Sequence, residues 1–320
     1  MIISQKKFLS NFENFSDKEK NIWQTPEWWV FQWYIWKKVF SIWGENYSSL
    51  VIKQDLWFWQ NFLHVQKWPL WNTDDDFFID LQKLAKEEKS SFIRISHNTE
   101  IWSEKESSYS WIRFNSVWDI FPQFSLLIDL EKSEDEILME MKQKWRYNIR
   151  LAQKKWIKIV EEENPEKASG IFYTLASETT ERDWFSGHQK DVYQAMIESL
   201  WEKIKVYVWY FEDQPICAWI FTFSWDTAIY YYWASSNSHR NLMAPYFLQW
   251  NAIIEAKKLW FKKYDFLWIA WDENNKKDPW FWITSFKMKF WGEKVEYLNW
   301  FDIPVSYLKY FLYRLKKMLK

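Results

Sequence analysis

Ser133 to Glu161 reads SEDEILMEMKQKWRYNIRLAQKKWIKIVE, and this stretch decides the fold. It opens on a capping box, Ser133-Glu134-Asp135-Glu136, in which a serine hydroxyl and a glutamate three residues on satisfy the first free N–H groups of a helix. Leu138, Met141, Trp145 and Ile149 then recur at helical spacing, which predicts one helix over 134–155. Ile157 to Glu161 reads as a strand, and a strand-like run, Phe124 to Leu130, precedes the box. Strand, helix and strand in succession argue for the α/β class with mixed sheets.

The same reading extends in both directions. Towards the N-terminus the pattern gives a helical start (Gln24 to Phe40), strands at Ser48 to Gln54 and Phe62 to Gln66, a helix from Phe77 to Lys89 behind Asp74-Asp75-Asp76, and a strand at Ser91 to Ile95. Towards the C-terminus it gives helices near 165–179 and 189–203, strands Ile216 to Phe223 and Thr227 to Tyr232 joined by Ser224-Trp225-Asp226, a helix 244–259, a strand Lys263 to Ile269 and a last helix from about 304. Two halves suit a chain of 320 residues.

Composition narrows the class. The net charge of −1, with 27% charged and 48% hydrophobic residues, excludes disorder and collagen. It also leaves no global electrostatic case for a nucleic-acid or membrane partner. Cys217 stands alone, so no intramolecular disulfide forms, and His64, His97, His188 and His239 lack metal-ligand spacing. The opening MIISQKKFLSNF has no signal-peptide core. The expectation is a cytoplasmic, monomeric chain without metal or cofactor.

One imbalance stands out: 29 Trp against 4 Gly, where ordinary usage gives about 22 glycines in this length. The tryptophans sit where glycine belongs. Trp156 and Trp260 follow helices at the C′ position, Trp225 occupies a hairpin tip, and Asn299-Trp300 has the form of an Asn-Gly turn. Asp55-Leu56-Trp57-Phe58-Trp59 and Pro279-Trp280-Phe281-Trp282 read the same way. A bulky side chain at positive φ is strained. The expectation is that the organism reads UGA as glycine and that these tryptophans stand for glycine. The competing reading is an aromatic-rich, non-enzymatic glycan-binding protein, which would place Trp on one surface instead.

Lys144-Trp145-Arg146-Tyr147-Asn148-Ile149-Arg150-Leu151-Ala152, followed by Lys154-Lys155-Trp156, resembles a signature segment of the FemABX family of peptidoglycan bridge-forming aminoacyltransferases. So do Gln24 to Trp29, Lys67-Trp68-Pro69, Glu181-Arg182-Asp183-Trp184-Phe185, Asn241 to Trp250, Tyr264 to Ile269, and Phe281 to Lys287 with Phe290-Trp291-Gly292. The resemblance runs in order from about residue 20 to 310. Trp29, Trp68, Trp156, Trp184, Trp260, Trp268, Trp282 and Trp291 fall where the family has glycine, and Trp28 and Trp250 where it has tryptophan. The family implies two GNAT-like domains: residues 1–130 completed by 298–320, and 131–297. It implies transfer of an amino acid from aminoacyl-tRNA to the stem-peptide amine of a peptidoglycan precursor, lipid II or its nucleotide-linked form. The spacing from Lys155 to Glu202 leaves no room for the helical arm of many members.

Ester aminolysis needs a neutral amine and a donor for the developing oxyanion. Lys287 matches the family lysine given that task, and Phe286 the aromatic before it. On the strand Tyr230-Tyr231-Tyr232, alternation puts Tyr230 and Tyr232 on one face, and the family places substrate-contacting tyrosines there; Tyr246 shapes the same pocket. Between Lys142 and Lys158 there are seven basic residues and no acidic one. Lys142, Arg146, Arg150, Lys154 and Lys158, spaced by four, form a stripe suited to tRNA or pyrophosphate phosphates, or an ordinary solvated face.

Arg182 matches the family as a substrate contact or a structural ion-pair residue. Val30 and Gln32 stand near the family's phosphate-binding lysine, and His188 near its phosphate-binding arginine, departures that favour a lipid-linked acceptor. The amphipathic basic helix Tyr307 to Lys320 suits either packing on the first domain or peripheral contact with the inner membrane leaflet. The enzyme alternative, an acyl-CoA-dependent GNAT, needs a Gly-rich loop at a helix start; Arg240 to Pro245 lacks it.

Overall fold

The computed structural model describes residues 21–45, 47–57, 59–68, 75–97, 115–117, 123–154, 158–183, 187–239, 242, 244–297 and 300–319. The chain divides into two compact units, residues 1–123 with 296–320 and residues 124–295. Unit 1 begins with α1 (Pro26–Tyr34), β1 (Lys38–Trp43), β2 (Ser48–Asp55), β3 (Asn61–Trp68), α2 (Asp75–Glu87), β4 (Phe92–His97) and β5 (Asn115–Val117). Unit 2 follows with β6 (Phe124–Asp129), α3 (Glu134–Glu140), α4 (Gln143–Gln153), β7 (Lys158–Glu161), α5 (Pro165–Asp183), α6 (Lys190–Ser199), β8 (Ile204–Phe211), β9 (Gln214–Ser224) and β10 (Thr227–Ser235). It closes with α7 (Ala244–Lys258), β11 (Lys263–Ile269), α8 (Phe281–Lys287) and β12 (Glu293–Glu296), after which β13 (Trp300–Pro304) and α9 (Tyr307–Met318) return to unit 1.

Both sheets are mixed. Unit 1 has the order β1-β2-β3-β4-β13-β5, with β3 and β4 parallel and β13 antiparallel to both neighbours. Its core of Val51, Leu63, Val65, Ile93 and Ile95 packs under Phe77, Phe78 and Leu81 of α2. A buried ion pair ties β4 to β13: Arg94 donates to both oxygens of Asp302 at 2.8 Å. Unit 2 has the order β12-β6-β11-β10-β9-β8-β7. Its boundary falls at Phe124 rather than 131, because β6 pairs with β11 and belongs to the second sheet.

The capping box forms as read, with the Ser133 hydroxyl and the Glu136 carboxylate both engaged. The single helix 134–155 does not. The backbone turns extended at Met141 and Lys142, because Met141 is buried and the chain bends there to fold α4 back onto α7. At the other end of the chain, the helical start ends at Tyr34, and β1 takes Lys38 onward.

Eleven non-glycine residues among those described have positive φ, and five are tryptophan: Trp36, Trp59, Trp225, Trp260 and Trp291. Trp260 closes α7 in a Schellman arrangement, its N–H on the Lys257 carbonyl and that of Phe261 on Ala256. Trp36 closes α1 in the same way, with its N–H on Trp33 and that of Lys37 on Gln32. Trp225 has φ 52° at the first position of the two-residue loop between β9 and β10, where a type II′ turn takes glycine. Trp282 lies inside α8 instead of in a turn. Trp156, Trp184 and Asn299 fall outside the described residues.

Candidate functional site

The parallel strands β10 and β11 pair only over Thr227 to Ile229 and Lys263 to Asp265, although both continue for several residues. Each carries a bulge where pairing stops, β10 between Tyr230 and Tyr232 and β11 between Asp265 and Trp268. A bulge bends its strand and raises its twist. Two at one level split the sheet and leave backbone groups of both strands facing the gap.

The β10 bulge overturns the alternation argument. Tyr230 pairs with Phe221 and Tyr232 with Ile220, so the inserted residue sends the two tyrosines to opposite faces. Tyr230 is buried in the core against Trp219, Phe221 and Phe266 and is spent on packing. Tyr232 faces α5 and α6, against Phe172 and Tyr193, with its hydroxyl 2.9 Å from His188 Nε2. Desolvation lowers the His188 pKa. Arg182 ties α5 to the end of β10, donating to the Ser235 carbonyl at 3.2 Å and Asn237 Oδ1 at 3.1 Å while pairing with Asp183. Its guanidinium is largely used in structure.

Lys287 occupies the last turn of α8 and is 5% exposed. Thr284 anchors this helix by accepting from the Ala270 N–H at 2.7 Å, just past β11. The Lys287 ammonium then donates to the carbonyls of Leu267 at 3.3 Å and Trp268 at 2.9 Å, both in the β11 bulge. Asp265 holds that bulge from the other side: its Oδ1 accepts from the Leu267 N–H at 2.7 Å and from the Ser125 hydroxyl. Leu267 has φ 54°, the strained conformation that points its N–H and carbonyl at these two partners. Burial pulls the Lys287 pKa down to about 7, against an opposing pull from Asp265. At neutral pH the amine is poised between a donor and a free base.

Phe286 and Tyr246 stand beside it, with ring centroids 5.8 Å apart, and Phe290 closes the group at 5.4 Å from Phe286. The sequence reading missed Lys289, whose Nζ lies 5.8 Å from the Phe286 ring and 5.7 Å from that of Tyr246. Its pKa is lowered by burial and by Lys144 and Lys142. The spacing Phe286-Lys287-Met288-Lys289 was the available signal. The N-terminal lysines of α4 therefore share this neighbourhood. The predicted stripe shortens, since Lys142 precedes the helix and Lys158 lies in β7. Of the remainder, Arg146 donates to the Met139 carbonyl at 2.9 Å, and Arg150 and Lys154 are exposed. Among the described residues no cluster of three His, Cys, Asp or Glu side chains has metal-binding geometry.

The sequence model of the FemAB family matches residues 79–212 and 209–318. No curated protein sequence matches the chain. Among solved structures, that of FemX superposes with a TM-score of 0.79 at 13% identity, covering 98% of each chain. The L-PGS structure from Bacillus licheniformis gives 0.62 at 12% identity, covering 98% of this chain and 96% of that one. A tandem GNAT protein from the clavulanic acid biosynthesis pathway gives 0.53 at 7% identity, covering 95% and 98%. At these identities the structures establish a shared two-domain GNAT-type fold.

Proposed function

The chain belongs to the FemAB family, and we propose that this transferase moves an amino acid from aminoacyl-tRNA to the stem-peptide amine of a peptidoglycan precursor. The observation that carries the reading is Lys287, buried and held by two bulge carbonyls at the split between β10 and β11. In the reaction the neutral acceptor amine attacks the ester carbonyl of the donor, and the C–N bond forms as charge collects on the carbonyl oxygen. The Lys287 ammonium donates to that oxyanion in a site with little water to compete. The tetrahedral intermediate then expels the tRNA 3′-oxygen, which takes up the proton lost by the amine.

Phe286 and Tyr246 wall the reacting carbon on one side. Lys289, Lys142 and Lys144 offer charge to the donor's phosphates, and Arg146, Arg150 and Lys154 extend that charge along α4. Tyr232 and His188, with Arg182 behind them, serve the acceptor side. Lipid II is the favoured acceptor, since His188 and Gln32 stand near places where a nucleotide-precursor site has cations.

The test gives purified protein labelled aminoacyl-tRNA with lipid II or with nucleotide-linked pentapeptide, and in a parallel arm acetyl-CoA. Label on lipid II is the expected result. Consumption of acetyl-CoA without tRNA-dependent transfer would replace this reading with that of an acyl-CoA-dependent N-acyltransferase.

A further inference from the structure

The C-terminal helix α9 packs on unit 1 through one narrow face. Tyr310 and Tyr313 are buried against Phe92, at centroid distances of 5.2 and 4.7 Å, and Tyr310 donates to Asp302 at 3.1 Å. On the side turned away, Leu308, Phe311, Leu312, Leu315, Met318 and Leu319 are all exposed, Leu308 at 70% and Met318 at 80%. With 100° per residue these six fall in an arc of about 120°. Going around the helix, Arg314 borders that arc on one side and Lys316 and Lys309 on the other. No acidic residue follows Asp302, whereas Lys309, Arg314, Lys316, Lys317 and Lys320 all do.

A soluble surface seldom leaves so continuous an apolar strip open, and one of this size marks a contact site. A protein partner would be met by charges of either sign. A strip bordered on its own helix by Arg314, Lys309 and Lys316 and by no carboxylate matches an apolar layer under anionic headgroups. We propose that α9 lies in the surface of an anionic bilayer, its apolar arc among the acyl chains and its basic borders at the phosphates. With 12 residues, about 18 Å long, it lies on the membrane without crossing it; among the described residues no helix is long and apolar enough to span one. The inference goes beyond the transfer reading and does not rest on it.

The full chain is mixed with vesicles of phosphatidylglycerol or of phosphatidylcholine and sedimented. Expected is binding to the anionic vesicles that weakens with salt, with about tenfold or greater loss of partition in Leu308→Gln/Phe311→Gln/Leu315→Gln. These side chains are exposed, so the variant should keep its unfolding temperature, and transfer to a soluble acceptor, where that activity exists, should be unchanged. Equal binding to both lipids, or binding indifferent to the triple substitution, would overturn the proposal. So would absence of vesicle binding together with a self-association that the variant abolishes, which would assign the strip to a second copy of the chain.

A different observation carries a second inference. Tryptophan makes up 29 of 320 residues, so chance would give it one of the eleven positive-φ positions; it holds five. None of the four glycines has positive φ. Trp36, Trp59 and Trp260 are each more than 90% exposed, so packing does not repay the strained backbone. We infer that the protein in its own cells carries glycine at residues 36, 59, 225, 260 and 291, encoded by UGA. Sequencing those codons and weighing the matching peptides of the native protein tests this directly. UGA with glycine-mass peptides is expected, and UGG at these five codons would overturn it.

Discussion

Each unit buries a cation near a carboxylate, and the two arrangements differ in what the cation touches. In unit 1, Arg94 meets both oxygens of Asp302, with the Tyr313 and Tyr310 hydroxyls taking further bonds to the pair. In unit 2, Lys287 and Asp265 grip the same bulge, one through the Leu267 carbonyl and the other through its N–H. Lys287 is thus offered neutral oxygens instead of an anionic partner. A bidentate guanidinium–carboxylate pair keeps both charges fixed. An ammonium satisfied by carbonyls, with the Asp265 charge acting on it only in partial compensation, keeps its hydrogen bonds while its proton is easily lost. The first arrangement locks a sheet, and the second leaves a proton ready for use.

Substitution should separate the two most sharply at the cations. Arg94→Met takes both guanidinium bonds away from the buried Asp302, and unfolding by urea should show a loss of about 3–5 kcal/mol. Lys287→Met should do the opposite to stability while abolishing function: kcat falls about 100- to 1000-fold. The sign follows from the pKa. The Lys287 amine titrates near 7 in the fold against 10.5 in the open chain, so between those values the unfolded state binds the extra proton and stability rises with pH. Below pH 7 both states are protonated, and the fold carries the full cost of a buried charge. At pH 6 the methionine variant should be more stable by about 2–4 kcal/mol, with no rise between pH 7 and 10. If Lys287→Met is as destabilised as Arg94→Met, the contrast between the units is wrong.

A smaller effect tests the role of Asp265. Its charge holds the Lys287 pKa up, so Asp265→Asn, which keeps an acceptor for the Leu267 N–H, should move the alkaline limb of the kcat profile down by about one pH unit. A lower kcat with an unmoved limb would reduce Asp265 to a structural clamp. Smallest is Tyr232→Phe, which removes the hydroxyl from His188 and should raise KM for the acceptor severalfold with kcat nearly constant. A kcat effect instead would bring Tyr232 into the chemistry.

What was legible in the sequence was what depends on neighbours along the chain. The capping box, the strand Lys263–Ile269 and the helix that follows residue 243 all obey local rules. The break at Met141 was hidden because helical periodicity runs straight through it and only burial of that side chain bends the chain. The helix that carries Lys287 was not legible because its seven residues, Phe281–Lys287, are too few to show a helical period. Tyr230 and Tyr232 misled for a related reason: a bulge shifts one strand against its partner, and a single strand carries no mark of it. The lysine and its aromatic were legible by resemblance, whereas the carbonyl cradle that sets its pKa is made by backbone, which side-chain patterns do not reveal.

The position of β13 has a consequence in time. It lies between β4 and β5 yet is made about 180 residues after β5. Every strand of unit 2 is synthesised before β13, so most of the middle of the chain can fold while the first third waits with β4 and β5 unjoined. Open strand edges invite the wrong partner. During synthesis the N-terminal third is the part of this protein that needs protection, and a ribosome that stops short of residue 300 releases a finished second unit attached to a first that cannot close.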